Sequence, residues 1–497
     1  MSSQLLDTPA KHPFSISGLV DSTWNRVSEA ALSTGWAPVT RLAETAVVAL
    51  MQKITRGQLR VLTYSRIYSF PGLGDAADDS NIKAELRVLN DAFWIRLCLM
   101  GDLGFAEAYM YGDIACDDLI FLANRKKLSN LDSMASYLFT LPQKLTSYRF
   151  LNTIGNSRSN ISGQVGPSSD CFLSQDMTYS CAIFKDLDGD MKDGVERSGW
   201  SGGQGLLRLG KSSATMSSVS TAANSSVDEL YEAQIRKLAH IIDKAKIQPG
   251  NRVLEIGSGW GSMAILIAQT VEGTTVDTLT LSVQQQTLAQ ERIAAAGLSD
   301  RINVHLMDYR NMPAVWEGAF DRVVSIEMIE AVGSEFLVRY WKTVDWAMKP
   351  VGGVGCVQVI TIPEARFERY IREIDFIRKW AIFPGGFLPT LTLLLQSMKD
   401  GSSGRLIVDS VSNIGPHYAR TLREWRRRFL HMFESTIVPA LKREYPDVMN
   451  GPRGKDEIEV FKRNCYCEVG FTSRTLGDHI ITFTREGCTD YGCTVFE

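Results

Sequence analysis

At 497 residues the chain is too long for one compact core, which sets an expectation of two or three domains. Hydrophobic residues make up 44% and charged residues 22%, ordinary for a soluble globular protein, and a net charge of −3 argues against nucleic acid as a partner, since such binders carry a basic excess. No run of about 18 uncharged apolar residues appears, the N-terminus lacks the basic-then-apolar order of a secretory signal, and nine scattered cysteines suit a reduced, intracellular setting better than a disulfide framework.

In chain order, residues 1–40 are polar and mixed and read as a loosely ordered arm. Residues 41–150 read as a small α+β domain. In "APVTRLAETAVVALMQKI", Val39, Leu42, Val47 and Leu50 recur at near-helical spacing, "TRGQLRVLTY" alternates like a strand, and the stretch from "FWIRLCLM" to "IACDD" reads as apolar runs separated by acidic turns. Residues 151–184 form a linker that would cover a cofactor. Residues 185–226 are rich in Gly, Ser and Asp without periodicity; such a segment buries too little apolar surface to offset its ordering entropy, so a disordered insertion is expected.

From residue 227 to 497 the pattern is βα. An amphipathic helix carries Leu230, Ile235, Leu238, Ile241 and Ile242. "RVLEIGSG" reads as a buried strand leading to the glycines, "MAILIAQTV" as a helix, "TVDTLTLS" as a strand, "VQQQTLAQERIAAAG" as a helix closed by Gly297, "INVHLMD" and "FDRVVSIEMIE" as strands, "VRYWKTVDWAMKPVGG" as a helix and "VGCVQVITI" as a fifth strand. Alternating strands and helices imply a parallel sheet covered on both faces. The fold class is therefore α/β, a Rossmann-like sheet with a small α+β domain before it.

Between the first strand and its helix lies Gly257-Ser258-Gly259-Trp260-Gly261, preceded by Glu255. Glycines there let the backbone pass close to a ligand, but the third comes one residue too early for the dinucleotide pattern. The spacing resembles the first motif of class I S-adenosylmethionine-dependent methyltransferases, whose cationic, phosphate-free ligand suits an acidic strand end. Thr280, Leu281 and Gln285 after the second strand would then meet the ribose or adenine, and Asp308 and Tyr309 after the third would lie beside the adenine. The spacing of Cys465, Cys467, Cys488 and Cys493 is wrong for zinc, and no metal is expected.

Several motifs in a fixed order resemble one family, the cyclopropane-fatty-acyl-phospholipid synthases with the related mycolic acid cyclopropane synthases. They are "YSCAIF", "VLEIGSGWG", "LTLSVQQ", "DYRNM", "VVSIEMIEAVG", "AIFPGGFLP" and "GPHYARTLREW", with "GFAEAYMYGDIACDDL" in the N-terminal domain. The resemblance implies one-carbon transfer from S-adenosylmethionine to the cis double bond of an unsaturated phospholipid acyl chain. A base, thought to be a bound bicarbonate, then removes a proton from the new methyl so that a cyclopropane ring closes. It places the bicarbonate nest on Cys181, Glu330 and Tyr418, and adds Tyr179, Ser180 and Ile326 to the cofactor contacts. Two positions depart from the bacterial pattern: Gln358 stands for a histidine, and Ala331 for the histidine after the glutamate. Glutamine can donate to an anion but cannot titrate.

The resemblance further implies a cytoplasmic protein, peripheral at membranes, and leaves a homodimer open. Ile382, Phe383, Phe387 and Leu388 around Gly385-Gly386 would line an acyl route or simply pack in the core. Arg423, Arg426, Arg427 and Arg428 would meet lipid headgroups or form a solvated face. Two other readings stay open: a C-methyltransferase of sphingolipid or sterol, and a lipid-binding relative that has lost the chemistry.

Overall fold

The structure, a computed structural model, describes residues 37–52, 58–70, 83–116, 172–192, 228–372, 386–444, 446 and 468–488. The N-terminal unit contains α1 (Ala37–Met51), β1 (Gln58–Leu62), β2 (Ile67–Phe70), β3 (Lys83–Val88), α2 (Ala92–Met110) and β4 (Ile114–Cys116). Its sheet runs β2-β1-β3-β4, with β1 and β3 parallel and the outer pairs antiparallel. Two readings are corrected here. The buried stripe of α1 is Thr40, Ala43, Val47 and Met51, whereas Val39, Leu42 and Leu50 face solvent. The expected break at Gly101-Asp102 lies inside one helix, α2, kinked at Gly101, while the acidic turn at Gly112-Asp113 is present between α2 and β4. Helix α2 stays in place because buried Arg96 pairs with Asp113 at 2.9 Å and Glu107 at 3.6 Å.

The second unit opens with α3 (Glu229–Lys244), capped by the Asp228 carboxylate accepting from the Tyr231 N–H. Leu230, Ala233, Gln234, Lys237, Leu238 and Ile241 form its buried stripe, so a glutamine and a lysine sit in an otherwise apolar face. The series continues with β5 (Arg252–Ile256), α4 (Ser262–Thr270), β6 (Thr275–Thr280), α5 (Val283–Ala295), β7 (Ile302–Leu306), β8 (Arg322–Ile326), α6 (Leu337–Ala347), β9 (Val354–Thr361), α7 (Glu364–Arg372), α8 (Leu391–Ser402), β10 (Leu406–Asn413), α9 (Gly415–Met432) and β11 (Gly477–Arg485). The sheet order is β10-β11-β9-β8-β5-β6-β7. Strands β5 to β9 are mutually parallel, while β11 runs antiparallel to both β9 and β10.

Alternation along the central strands sends Val253 and Val324 into one apolar layer and Leu254 and Val323 into the other. Both faces are covered, which is why these strands read as continuous apolar runs. The expectation of a purely parallel sheet missed β10 and β11. Strand β10 carries polar residues on both faces, Asp409, Ser410, Ser412 and Asn413, and its face with Ile407, Asp409, Val411 and Asn413 is the more exposed.

Strand β8 is also shorter than its apolar pattern suggests. It stops at Ile326, Glu327 turns into the left-handed region at φ +46°, and Ile329–Ala331 forms a 3-10 turn. The region expected to be a disordered insertion has an ordered start: a helical turn spans Gly189–Lys192, the Asp186 carbonyl accepts from Arg420, and Asp190 pairs with Arg423 at 2.7 Å. The rest of that expected insertion lies outside the described residues, as do Ile382 and Phe383. The arginines of α9 are committed to acidic neighbours, Arg423 to Asp190, Arg427 to Glu424 and Arg428 to Asp228. Arg423 and Arg428 are partly buried in these pairs, whereas the Arg427 side chain is 68% exposed and belongs to a solvated face.

Candidate active site

A cleft opens at the carboxyl ends of β5, β6, β7 and β8, where ligands bind in open α/β sheets. Every residue expected to hold the cofactor lines it: Tyr179, Ser180, Glu255, Gly257, Gly259, Thr280, Leu281, Gln285, Asp308, Tyr309 and Ile326, together with Glu330. The glycine turn is built by its backbone. Gly257 and Ser258 donate to the Leu279 carbonyl at 3.1 and 2.8 Å, and Gly257, at φ +104°, has no room for a Cβ beside Met328. A Cβ on Gly259 would project into open space. At Gly261 a Cβ would meet Ala289 of α5 at 3.3 Å.

The segment before the insertion closes one side of the cleft. It is clamped between α3 and α9: Ile183 donates to the Ala233 carbonyl, and Ala182 and Phe184 donate to Thr421 Oγ1 and His417 Nδ1. Lys237 Nζ donates to Ser180 Oγ at 2.6 Å, and the Tyr179 ring stacks on Trp425 with centroids 5.0 Å apart. On the opposite side Thr280 Oγ1 donates to Gln285 Oε1 at 2.7 Å, which fixes that amide. Asp308 is tied to its own neighbour, accepting from Arg310 Nε at 2.8 Å.

The donor set fits S-adenosylmethionine. Glu255 is buried and its Oε2 has no partner; burial pushes its carboxyl up to about 8, so a cationic ligand placed there would favour its ionised form. Tyr309 hydroxyl and Thr178 Oγ1 are also unpartnered on the cleft wall.

The nest expected to hold bicarbonate has a different occupant. The Cys181 N–H and Gln358 Nε2 each donate to Glu327 Oε1 at 2.8 Å, and the Tyr418 hydroxyl donates to Glu327 Oε2 at 2.8 Å. Gln358 Nε2 also donates to Asp478 Oδ2 at 2.8 Å. The donors meant for a free anion therefore end on a side chain, and the residues present do not fit a bicarbonate in that place. Cys181 contributes its amide; its buried thiol turns to the carbonyls of Ala182 and Ile414, and burial raises its pKa well above the usual thiol value. Glu330 stands beside this group, its Oε1 accepting from the Ile360 N–H and its Oε2 unpartnered. Burial first, and the charge of Glu327 second, push its carboxyl up to about 8.

Three residues of this cluster were not among the expected ones. Glu327 lies inside the quoted "SIEMIEAVG", at the end of a strand where a carboxylate would be noticed. Lys237 sits on the apolar stripe of α3, seven residues after Leu230. Asp478 lies on β11, which carried no recognised signal. Burial lowers the Lys237 pKa and raises that of Asp478 well above the carboxylate range, the latter also through the neighbouring Glu327 charge.

The profile of the mycolic acid cyclopropane synthetase family matches residues 212–445. The tuberculostearic acid methyltransferase UfaA1 of Mycobacterium tuberculosis is 32% identical over 453 residues, which cover 89% of this chain and 92% of that protein. The chain belongs to the mycolic acid cyclopropane synthetase family. The cyclopropane-fatty-acyl-phospholipid synthase of Escherichia coli K12 is 29% identical over 360 residues, 71% of this chain and 78% of that one. The solved coclaurine N-methyltransferase bound to N-methylheliamine and S-adenosylhomocysteine shares the fold, with a TM-score of 0.50 at 16% identity over 76% of this chain and 98% of that one. As a member of this synthetase family the protein is an S-adenosylmethionine-dependent lipid methyltransferase with a Rossmann-like sheet.

Gly259→Asp tests the cofactor placement. The structure has room for the side chain in the empty cleft, so the variant is expected to fold and to lose S-adenosylmethionine binding by calorimetry; unchanged affinity would contradict the placement. Glu330 tests the role of a neutral carboxyl. With its pKa at about 8 it is mainly protonated at neutral pH, so Glu330→Gln is expected to keep turnover within about tenfold while Glu330→Ala loses about a hundredfold, a loss typical of misplaced acid–base groups. Equal losses in both variants would show that the ionised form is needed.

Proposed function

We propose that this methyltransferase adds a one-carbon unit to the cis double bond of an unsaturated acyl chain carried by a phospholipid, and that the product is a cyclopropane fatty acid. The observation that carries the reading is the buried carboxylate group at the inner end of the cleft. Burying Glu327, Glu330 and Asp478 together is costly unless hydrogen bonds and charge offset it. That arrangement is hard to account for in a lipid-binding protein without chemistry, and it is what a reaction ending in proton loss requires.

Bound S-adenosylmethionine would supply an electrophilic methyl group. Glu255, Gly257 and Gly259 would hold its charged end, while Thr280, Leu281, Gln285 and Tyr309 would surround its nucleoside. Tyr179 and Ser180, locked by Trp425 and Lys237, would close the site against water. The acyl chain would approach past Phe387 and Leu388. This segment reaches the cluster directly: the Phe387 N–H donates to the Glu330 carbonyl at 2.8 Å, and the Leu388 N–H donates to the Tyr370 hydroxyl at 2.9 Å. An apolar chain lying there would place its double bond beside the carboxylates. Lipid access would come from a membrane surface, with the protein peripheral to it. Among the described residues no helix is long and apolar enough to cross a membrane.

A second reading has its own support. The 32% similarity to a tuberculostearic acid methyltransferase favours a product with a one-carbon branch on the chain. Both products need the same methyl transfer; direct loss of a proton from the new methyl closes the ring, whereas a hydride shift from the methylated carbon to its cationic neighbour before that loss gives the exocyclic methylene. The purified protein, S-adenosylmethionine and vesicles of monounsaturated phospholipid would be incubated and the fatty acids analysed by mass spectrometry and proton NMR. A chain with one added CH₂ and upfield ring protons is the expected result. Exocyclic methylene signals would replace the ring reading with the branched one, and unmodified chains with bound cofactor would reject lipid methylation of this substrate.

A further inference from the structure

Glu327 follows the last residue of β8 and lines the cleft. Its backbone adopts φ +46°, a region that residues with a Cβ rarely occupy and that persists only where the surroundings hold it. Its own N–H donates to the Gln358 carbonyl at 2.8 Å. Its carboxylate takes three donors from three separate parts of the chain: the Cys181 amide from the segment over the cleft, the Gln358 amide from β9 and the Tyr418 hydroxyl from α9. The orientation of the Gln358 side chain follows from this, because both of its partners are carboxylate oxygens and only an NH₂ group can donate to them.

A carboxylate and a bicarbonate present the same planar O–C–O acceptor to such donors. Here the acceptor is covalently attached, so its local concentration does not depend on dissolved carbonate. We propose that Glu327 is the proton acceptor of this enzyme and takes the place of a free bicarbonate ion, an inference that rests on the methyl-transfer reading above. In the step it performs, a C–H bond of the transferred carbon breaks and an O–H bond forms on the Glu327 carboxylate. The electron pair released joins that carbon to the electron-poor carbon of the acyl chain and closes the ring; in a branched product a hydride first shifts from the methylated carbon to its cationic neighbour, and the pair released then forms the exocyclic double bond to the carbon left electron-poor. Glu327 ends neutral and gives its proton to solvent after the product leaves.

The neighbours suit one anion. Lys237 is fully buried and its positive charge faces Glu327, while Asp478 and Glu330 are pushed toward their neutral forms by burial and by the Glu327 charge. The left-handed backbone also explains why glycine can replace Glu327 without new strain. Glu327→Gly would vacate the nest and leave its three donors in place.

The full-length wild type, Glu327→Gly and Glu327→Gln would be compared in buffers purged of carbon dioxide and in the same buffers with added bicarbonate. Two readouts are taken: methyl transfer to monounsaturated phospholipid vesicles, and binding of ¹³C-bicarbonate to the cofactor-free protein, followed by NMR and by melting temperature. The wild type is expected to turn over equally with and without bicarbonate and to bind none. Glu327→Gly is expected to lose about 10²–10⁴-fold in turnover without bicarbonate, to bind it and to regain activity with it. Glu327→Gln fills the nest without a base and is expected to stay inactive in both buffers. Wild-type turnover that falls on purging, bicarbonate binding by the wild type, turnover near the wild-type rate in either variant without bicarbonate, or a folded Glu327→Gly that neither binds nor responds to the ion would each overturn the proposal. The wild-type measurements decide the matter even if a variant fails to fold. Should the wild type methylate no lipid, the functional reading fails, and the binding readout still tests what occupies the nest.

Discussion

A carboxylate held by three hydrogen bonds away from bulk water is the constraint around which this site is arranged. Burial raises the Glu327 pKa, and the hydrogen bonds on its oxygens together with the charge of buried Lys237 act in the opposite direction and favour its ionised form. The donors come from elements far apart in sequence, so the N-terminal side of α3, the inner strands and α9 must all be in register for the charge to be tolerated. A half-formed version would leave a buried anion unpaired, which is far worse than no anion at all. The site and the fold therefore depend on one another.

The sheet supplies the required convergence. Parallel strands β5 to β9 deliver their carboxyl ends to one edge, and residues at or next to those ends form the cleft or its base: Ile256 before the glycines, Thr280, Met307 after β7, Ile326 before Glu327, and Gln358 with Ile360 on β9. The antiparallel β11 is inserted between β9 and β10 and brings Asp478 against Gln358 from the other direction. Its far end is anchored by Arg485, which donates to the Lys349 and Met348 carbonyls at 2.8 and 2.9 Å and pairs with buried Asp345. That anchor is well removed from the cleft, and it fixes the strand on which one wall of the carboxylate group depends.

Much of this was legible in the sequence. Buried strands covered on both faces leave continuous apolar runs, so β6 and β9 could be placed within a residue or two, while the reading of β5 ran on into the glycine turn; the positive φ of Gly257, Gly259 and Gly261 is what the G-S-G-W-G spacing implies. The motif residues converge on one cleft because strand ends in this topology converge. The carboxylate cluster was less legible. Glu327 sits in a stretch whose apolar pattern reads as strand, and only the turn after Ile326 aims it inward. Lys237 was hidden within an amphipathic helix whose apolar members had been counted without it. Asp478 depends on a pairing between residues more than a hundred positions apart, which local pattern cannot reveal. The α1 face was misjudged for a related reason: Leu42 and Leu50 are apolar, but it is the face with Thr40 and small Ala43 that is buried, on a helix packed against α2.

The central claim is that the protein itself removes a proton from the carbon it transfers. The most direct measurement uses S-adenosylmethionine with a fully deuterated methyl group and counts the deuterium in the product lipid by mass spectrometry. Loss of a proton from that carbon predicts a product that retains two of the three deuterium atoms, in a ring or a methylene alike. A product that keeps all three would show that the methyl is transferred intact, and would contradict the account of a buried carboxylate as base.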